Sequence, residues 1–141
     1  MSDPYNLQRF VDAQEPIYDR ALAELKAGQK QSHWMWFIFP QIAGLGRSDM
    51  ARRYAIGGPD EAKAYVEHSL LGPRLEECAQ ALLEHADRSA REVLGSPDDM
   101  KLHSSMTLFA AVAPERSVFQ TVLNAFFAAK PDQATLSRLA Q

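Results

Sequence analysis

Apolar side chains recur every three or four positions along most of this chain, and the runs break at prolines, glycines and short polar clusters. That pattern predicts a succession of short amphipathic helices. Asp3 before Pro4 marks a first start, with Leu7, Phe10 and Val11 on one face. Glu15-Pro16 marks a second, and Ile17, Ala21, Leu22 and Leu25 follow until Gly28 stops the pattern. Ser48 reads as the cap of a helix carrying Met50, Ala51, Tyr54 and Ala55, closed by Gly57-Gly58-Pro59-Asp60. Residues 61–68 then place Ala62, Tyr65 and Val66 on one side.

Leu71-Gly72-Pro73 reads as a break, after which Leu75, Cys78, Leu82 and Leu83 share a stripe. Ser89-Ala90-Arg91-Glu92 is a capping box for a helix ending at Gly95. Ser96-Pro97-Asp98-Asp99 opens another, with the two aspartates as caps and Leu102, Met106 and Phe109 as its apolar stripe. Val118, Val122, Leu123 and Phe126 mark a further helix, and Pro131-Asp132 opens a last one with Leu136 and Leu139.

Residues 34–39, Trp-Met-Trp-Phe-Ile-Phe, are apolar on every side and have no readable period. They form a strand or a buried helical turn; Ser32 as a cap and Pro40 as a stop tilt the reading toward helix, aromatic and β-branched content toward strand. The expectation is a mainly α, irregular single domain over residues 1–141, with about eight short helices and at most one or two short strands. A chain of 141 residues supports one core.

Fifteen basic and eighteen acidic side chains give a net charge of −3, which argues against nucleic acid as a partner. A local basic pocket holding one phosphate remains compatible with that charge. The single cysteine, Cys78, excludes an internal disulfide and a thiolate zinc cluster, and its place in an apolar stripe reads as core. The N-terminus has no signal-peptide pattern and residues 34–39 are too short to span a bilayer, so no membrane is expected and the cytoplasm is the expected compartment. His68, His85 and His103 stand singly, so no metal site is expected, and no cofactor motif is present.

Several blocks together carry a family likeness: Gly28-Gln29-Lys30, then Ser32-His33-Trp34-Met35-Trp36-Phe37-Ile38-Phe39-Pro40-Gln41, then Gly44-Leu45-Gly46 with Ser48. Leu71-Gly72 with Arg74-Leu75, Gly95 with Pro97-Asp98-Asp99, and Lys101-Leu102 with Ser104-Ser105-Met106-Thr107-Leu108-Phe109 extend it. The chain resembles the domain of unknown function family 1810, which is sometimes labelled calpastatin-like in bacterial genomes. The resemblance implies a single helical domain and no settled chemistry; nothing in the residues supports the protease-inhibitor label. A fainter likeness to NADAR domains, associated with NAD and ADP-ribose chemistry, is one of pattern only.

Three constellations are candidates for chemistry. Gly44-Leu45-Gly46-Arg47 before Ser48 would offer backbone amides and a guanidinium to an anion, although the glycines also serve a plain tight turn. It is not a Walker loop. Lys30, Ser32, His33 and Gln41 around Trp34 and Trp36 would stack and orient a base or sugar, although such an aromatic run also suits a core. Lys101 and Ser105, four apart with Ser104 beside them, share a helix face that suits anion binding better than a Ser-Lys nucleophile.

The leading expectation is a pocket for a small anionic, phosphate-bearing or nucleotide-like molecule, with Lys30, Arg47 and Lys101 supplying charge. If catalysis occurs, His33, Asp98 and Lys101 are the acid/base candidates for glycosidic or ADP-ribose bond cleavage. The alternative is a non-enzymatic module whose residues 34–39 are core and whose surface meets an unknown protein partner.

Overall fold

The computed structural model describes residues 3–140 and contains ten helices among them. In order they are α1 (Gln8–Gln14), α2 (Tyr18–Ala27), α3 (Met35–Ile38), α4 (Asp49–Arg53), α5 (Pro59–Glu67), α6 (Leu71–Leu83), α7 (Ala90–Leu94), α8 (Asp98–Val112), α9 (Val118–Phe126) and α10 (Gln133–Leu139). The fold is mainly α, as the periodicity predicts. The count exceeds the expected eight or so because several helices have one turn or little more. No strand forms among the described residues; one parallel bridge joins Ile42 to Ile56.

The local signals act as their chemistry requires. Asp3 accepts from the amides of Leu7 and Gln8 at 2.8 and 3.0 Å, Gly28 ends α2 in the left-handed region at φ 74°, and Ser48 caps α4. Ser89 and Glu92 form the reciprocal capping box. Other boundaries move. Pro59 starts α5 two residues early, and Leu71-Gly72-Pro73 is the first turn of α6 rather than a break, since proline there sacrifices no helical hydrogen bond. Neither Asp98 nor Asp99 caps the helix: the Asp98 carboxylate is taken by two ammonium groups, and Asp99 Oδ1 is buried without a hydrogen-bond partner.

Residues 34–39 resolve as the single turn α3, and Ser32 is not its cap. Its hydroxyl goes to Glu24 instead, at 2.6 Å. A strand there would need a partner edge to satisfy its amides, and only the Ile42–Ile56 bridge is formed nearby.

The long helices α6 and α8 organise the core: α6 packs on α2, α5 and α9, and α8 on α5, α7, α9 and α10. Leu102, Met106, Leu108 and Phe109 of α8 are fully buried, and so are Ser105 and, nearly, Ser104 and Thr107, so the 104–109 segment is enclosed on all sides rather than along one stripe. An aromatic series runs through the interior from Phe10 to Tyr65, Phe109 and Phe119, with successive centroids 5.0, 5.4 and 5.7 Å apart. Buried Gln14 ties α1 to α3, donating to the Phe37 carbonyl at 2.7 Å and the Tyr65 hydroxyl at 3.0 Å.

Candidate functional site

Residues 28–36 are shaped by a carboxylate that sequence inspection passes over. Glu24, buried on α2, accepts from the amides of Gln31 and Ser32, the Ser32 hydroxyl and the Trp34 indole at 2.6 to 3.0 Å. Arg20 adds an ion pair at 3.3 Å. Burial would raise this carboxyl, but the hydrogen bonds from Ser32, Gln31 and Trp34 outweigh it and hold the group at about 2. Trp34 is thereby locked inward and fully buried.

The next indole faces differently. Trp36 is half-buried, and two lysines flank the tryptophans. The Lys30 ammonium lies 5.1 Å from the Trp34 ring centroid and 2.9 Å from Asp98 Oδ2, with only 7% of its side chain exposed. The Lys101 ammonium lies 5.2 Å from the Trp36 centroid and 3.5 Å from Asp98 Oδ1. Two cations thus share one carboxylate, leaving a net positive charge beside Trp36.

Trp36 also lines a cavity of about 140 Å³ together with Gln41, Gly44, Gly46, Arg52 and Tyr54 and the small aliphatic side chains of residues 42, 43, 51 and 55. The cavity is framed by the 41–46 loop and α4, which the Ile42–Ile56 bridge holds together: Ala43 donates to the Ile56 carbonyl at 2.8 Å and Ile56 to the Gln41 carbonyl at 2.9 Å. Gly44 sits at φ 99°, a conformation that disfavours any side chain.

Four expected ligand contacts, Trp36, Gln41, Gly44 and Gly46, therefore converge on one hollow; Lys101 lies outside its lining, 5.2 Å from the Trp36 ring centroid. The others lie elsewhere. Trp34 and Ser32 serve Glu24, and Lys30 is a buried ion-pair partner. His33 is exposed and Arg47 is exposed outside the lining. Ser48 Oγ accepts from the Ala51 amide as a cap. Ser104 bonds Asp132 at 2.7 Å, and Ser105 is fully buried without a partner. Arg52 and Tyr54 were not foreseen, because only the fold of α4 against the 41–46 loop makes them neighbours.

A larger hollow beside Asn6, Arg9 and Arg53 looks cationic but is not a free anion site. Arg9 already donates to the carbonyls of Tyr5, Asn6, Arg53 and Ala55 and to the Glu61 carboxylate, which matches its five N–H groups. Burial pushes the Cys78 thiol up to about 12, so it stays protonated and inert. Among the described residues there is no His/Cys/Asp/Glu cluster that would hold a metal, and no helix is long and apolar enough to cross a membrane.

No curated protein matches this chain. Among solved structures, the conserved hypothetical protein Rv1873 from Mycobacterium tuberculosis is similar at 47% identity over 99% of both chains, with a TM-score of 0.96. A family model described as "protein of unknown function (DUF1810)" matches residues 4–139. With nearly its whole length matched, the chain belongs to the DUF1810 family.

Proposed function

We propose that this protein binds a small phosphate-bearing, nucleotide-like molecule in the hollow between Trp36 and α4, and that binding rather than bond cleavage is its activity. The observation that carries this reading is a half-buried indole flooring a hollow of about 140 Å³, with the Lys101 ammonium 5.2 Å from its ring. An enclosed apolar cavity near that size accepts one benzene ring. One base, sugar or phosphate therefore enters, and the rest of a larger ligand such as ADP-ribose stays outside. Trp36 offers the stacking face, Gln41 an amide that both donates and accepts, and Arg52 a charge for the anionic group.

Three features favour binding over hydrolysis. The lining contains no carboxylate, imidazole or thiol. Asp98 is engaged by two ammonium groups and serves as their counter-ion. His33 is exposed, and its ring has no hydrogen bond to another described residue to orient it as a proton carrier. A module whose two indoles were both core would serve only as scaffold for a protein-binding surface; the exposure of Trp36 goes against that alternative.

The test is thermal melting and calorimetry with AMP, adenosine, NAD and ADP-ribose. A ligand at a hundred times its dissociation constant stabilises the fold by about 2.7 kcal/mol, so millimolar ligand raises the melting temperature by several degrees if affinity is about 10 to 100 μM. Trp36→Ala abolishes the shift while the variant remains folded. No shift with any of the four compounds at millimolar concentration overturns the reading.

A further inference from the structure

We infer that the C-terminal helix completes this site: Arg138 of α10 reads the ligand's anionic group at the Gly44 rim, and Asp132 is the positioning residue that holds it there. The inference rests on the binding reading above and adds to it a residue distant in sequence. Arg138 Nη2 donates to the Gly44 carbonyl at 3.3 Å across 94 residues of chain. A Cβ on Gly44 would come within 2.5 Å of Arg138 Cζ and 2.8 Å of its Nε and Nη1. The guanidinium thus occupies the space that glycine leaves open, on a residue that lines the hollow.

Arg138 differs from Arg9 in the state of its donors. All five N–H groups of Arg9 have acceptors, whereas Arg138 makes one long hydrogen bond and has no acidic partner among the described residues. Unengaged donors in a fixed fork are what a phosphate or carboxylate requires.

An exposed arginine needs a rigid base to act as a reader, and α10 has one. Asp132 Oδ2 accepts from Ser104 Oγ at 2.7 Å and from Thr135 Oγ1 at 2.6 Å, and the Asp132 amide donates to Thr107 Oγ1 at 2.9 Å. Thr135 is fully buried and Ser104 and Thr107 nearly so, while Asp132 is half-buried, so this clasp to α8 is partly shielded from water. Ser104 and Thr107 therefore reach the site through Asp132 and α10 rather than through contact with ligand.

Calorimetry of the full chain with AMP, adenosine and inorganic phosphate tests this. Arg138→Met should weaken AMP and phosphate about tenfold or more, the scale of a lost charge-assisted contact, and leave adenosine unchanged. Arg138→Lys should recover part of the loss, since it keeps charge without the fork. Asp132→Asn should weaken AMP selectively over adenosine, a split that a uniform loss of fold does not produce. Phosphate binding that depends on Arg138, with no gain from the adenosine moiety, would uphold Arg138 and remove the Trp36 stacking. Unchanged AMP affinity in Arg138→Met would overturn the inference while leaving the Trp36 hollow standing; failure of all three compounds to bind the wild type would overturn both.

Discussion

Replacing Glu24 by glutamine tests the account of how residues 28–36 are folded. The carboxylate collects four hydrogen bonds from Gln31, Ser32 and Trp34 and an ion pair from Arg20. A group held at about 2 when folded, against an ordinary 4.5, corresponds to an upper bound of about 3 kcal/mol in favour of the ionised folded form. Its outer edge meets solvent at Arg20, which screens part of that, so about 2 kcal/mol is the working value. Glutamine keeps one acceptor oxygen for the two amides and the indole but loses the charge, and its amide nitrogen then faces the Arg20 guanidinium. The expected loss for Glu24→Gln is about 1–2 kcal/mol at pH 7 by urea unfolding.

The same variant carries a pH signature. The unfolded carboxyl takes up its proton near 4.5 and the folded one only near 2, so the contribution is complete above about 4.5 and disappears as pH falls through that window. The stability difference between wild type and Glu24→Gln should therefore shrink between about pH 5 and pH 2.5, followed by the fluorescence of buried Trp34. A difference below about 0.5 kcal/mol at pH 7, or one that stays constant down to pH 2.5, would refute the assignment.

Two further outcomes follow from packing and charge. Gly72→Ala should cost several kcal/mol in chemical unfolding, on the order of 2–4, because a Cβ there would collide with the Val66 carbonyl where α6 crosses the end of α5; a loss within 0.5 kcal/mol would mean the crossing relaxes freely. Asp98→Asn should cost about 2–3 kcal/mol by leaving the Lys30 ammonium, 7% exposed, without its counter-charge. Adding Lys30→Met should recover part of that loss in a double-mutant cycle, and strict additivity would contradict the pairing.

Most helices were legible because their boundaries are written in local chemistry: Ser89 with Glu92, Ser48, Gly28, Asp3. Residues 34–39 were not, since an all-apolar hexamer fits any buried conformation and its shape is imposed by Glu24 from another helix. Glu24 itself reads as half of an ordinary surface pair with Arg20, four residues earlier. Within the candidate site, Trp36, Gln41, Gly44 and Gly46 were visible because they lie in one continuous block. Arg52 reaches the hollow, and Arg138 the Gly44 carbonyl, through tertiary packing, and neither carries a local mark. Ser104 was read for its hydroxyl, which the fold directs to Asp132.

The enclosure of α8 also bears on how this protein tolerates change over evolutionary time. In a helix lying on a core, roughly half the positions face water and accept almost any residue. In the 104–109 segment every position is shut in, including two serines and a threonine that look like surface letters. Replacing Ser104 or Thr107 with an aliphatic residue of similar bulk would strand acceptors and donors at Asp132, while a charged residue would have nowhere to go. Drift in this lineage should accordingly spare the middle of α8, hydrophilic residues included, and accumulate at its ends and on the outer faces of α2, α5 and α9.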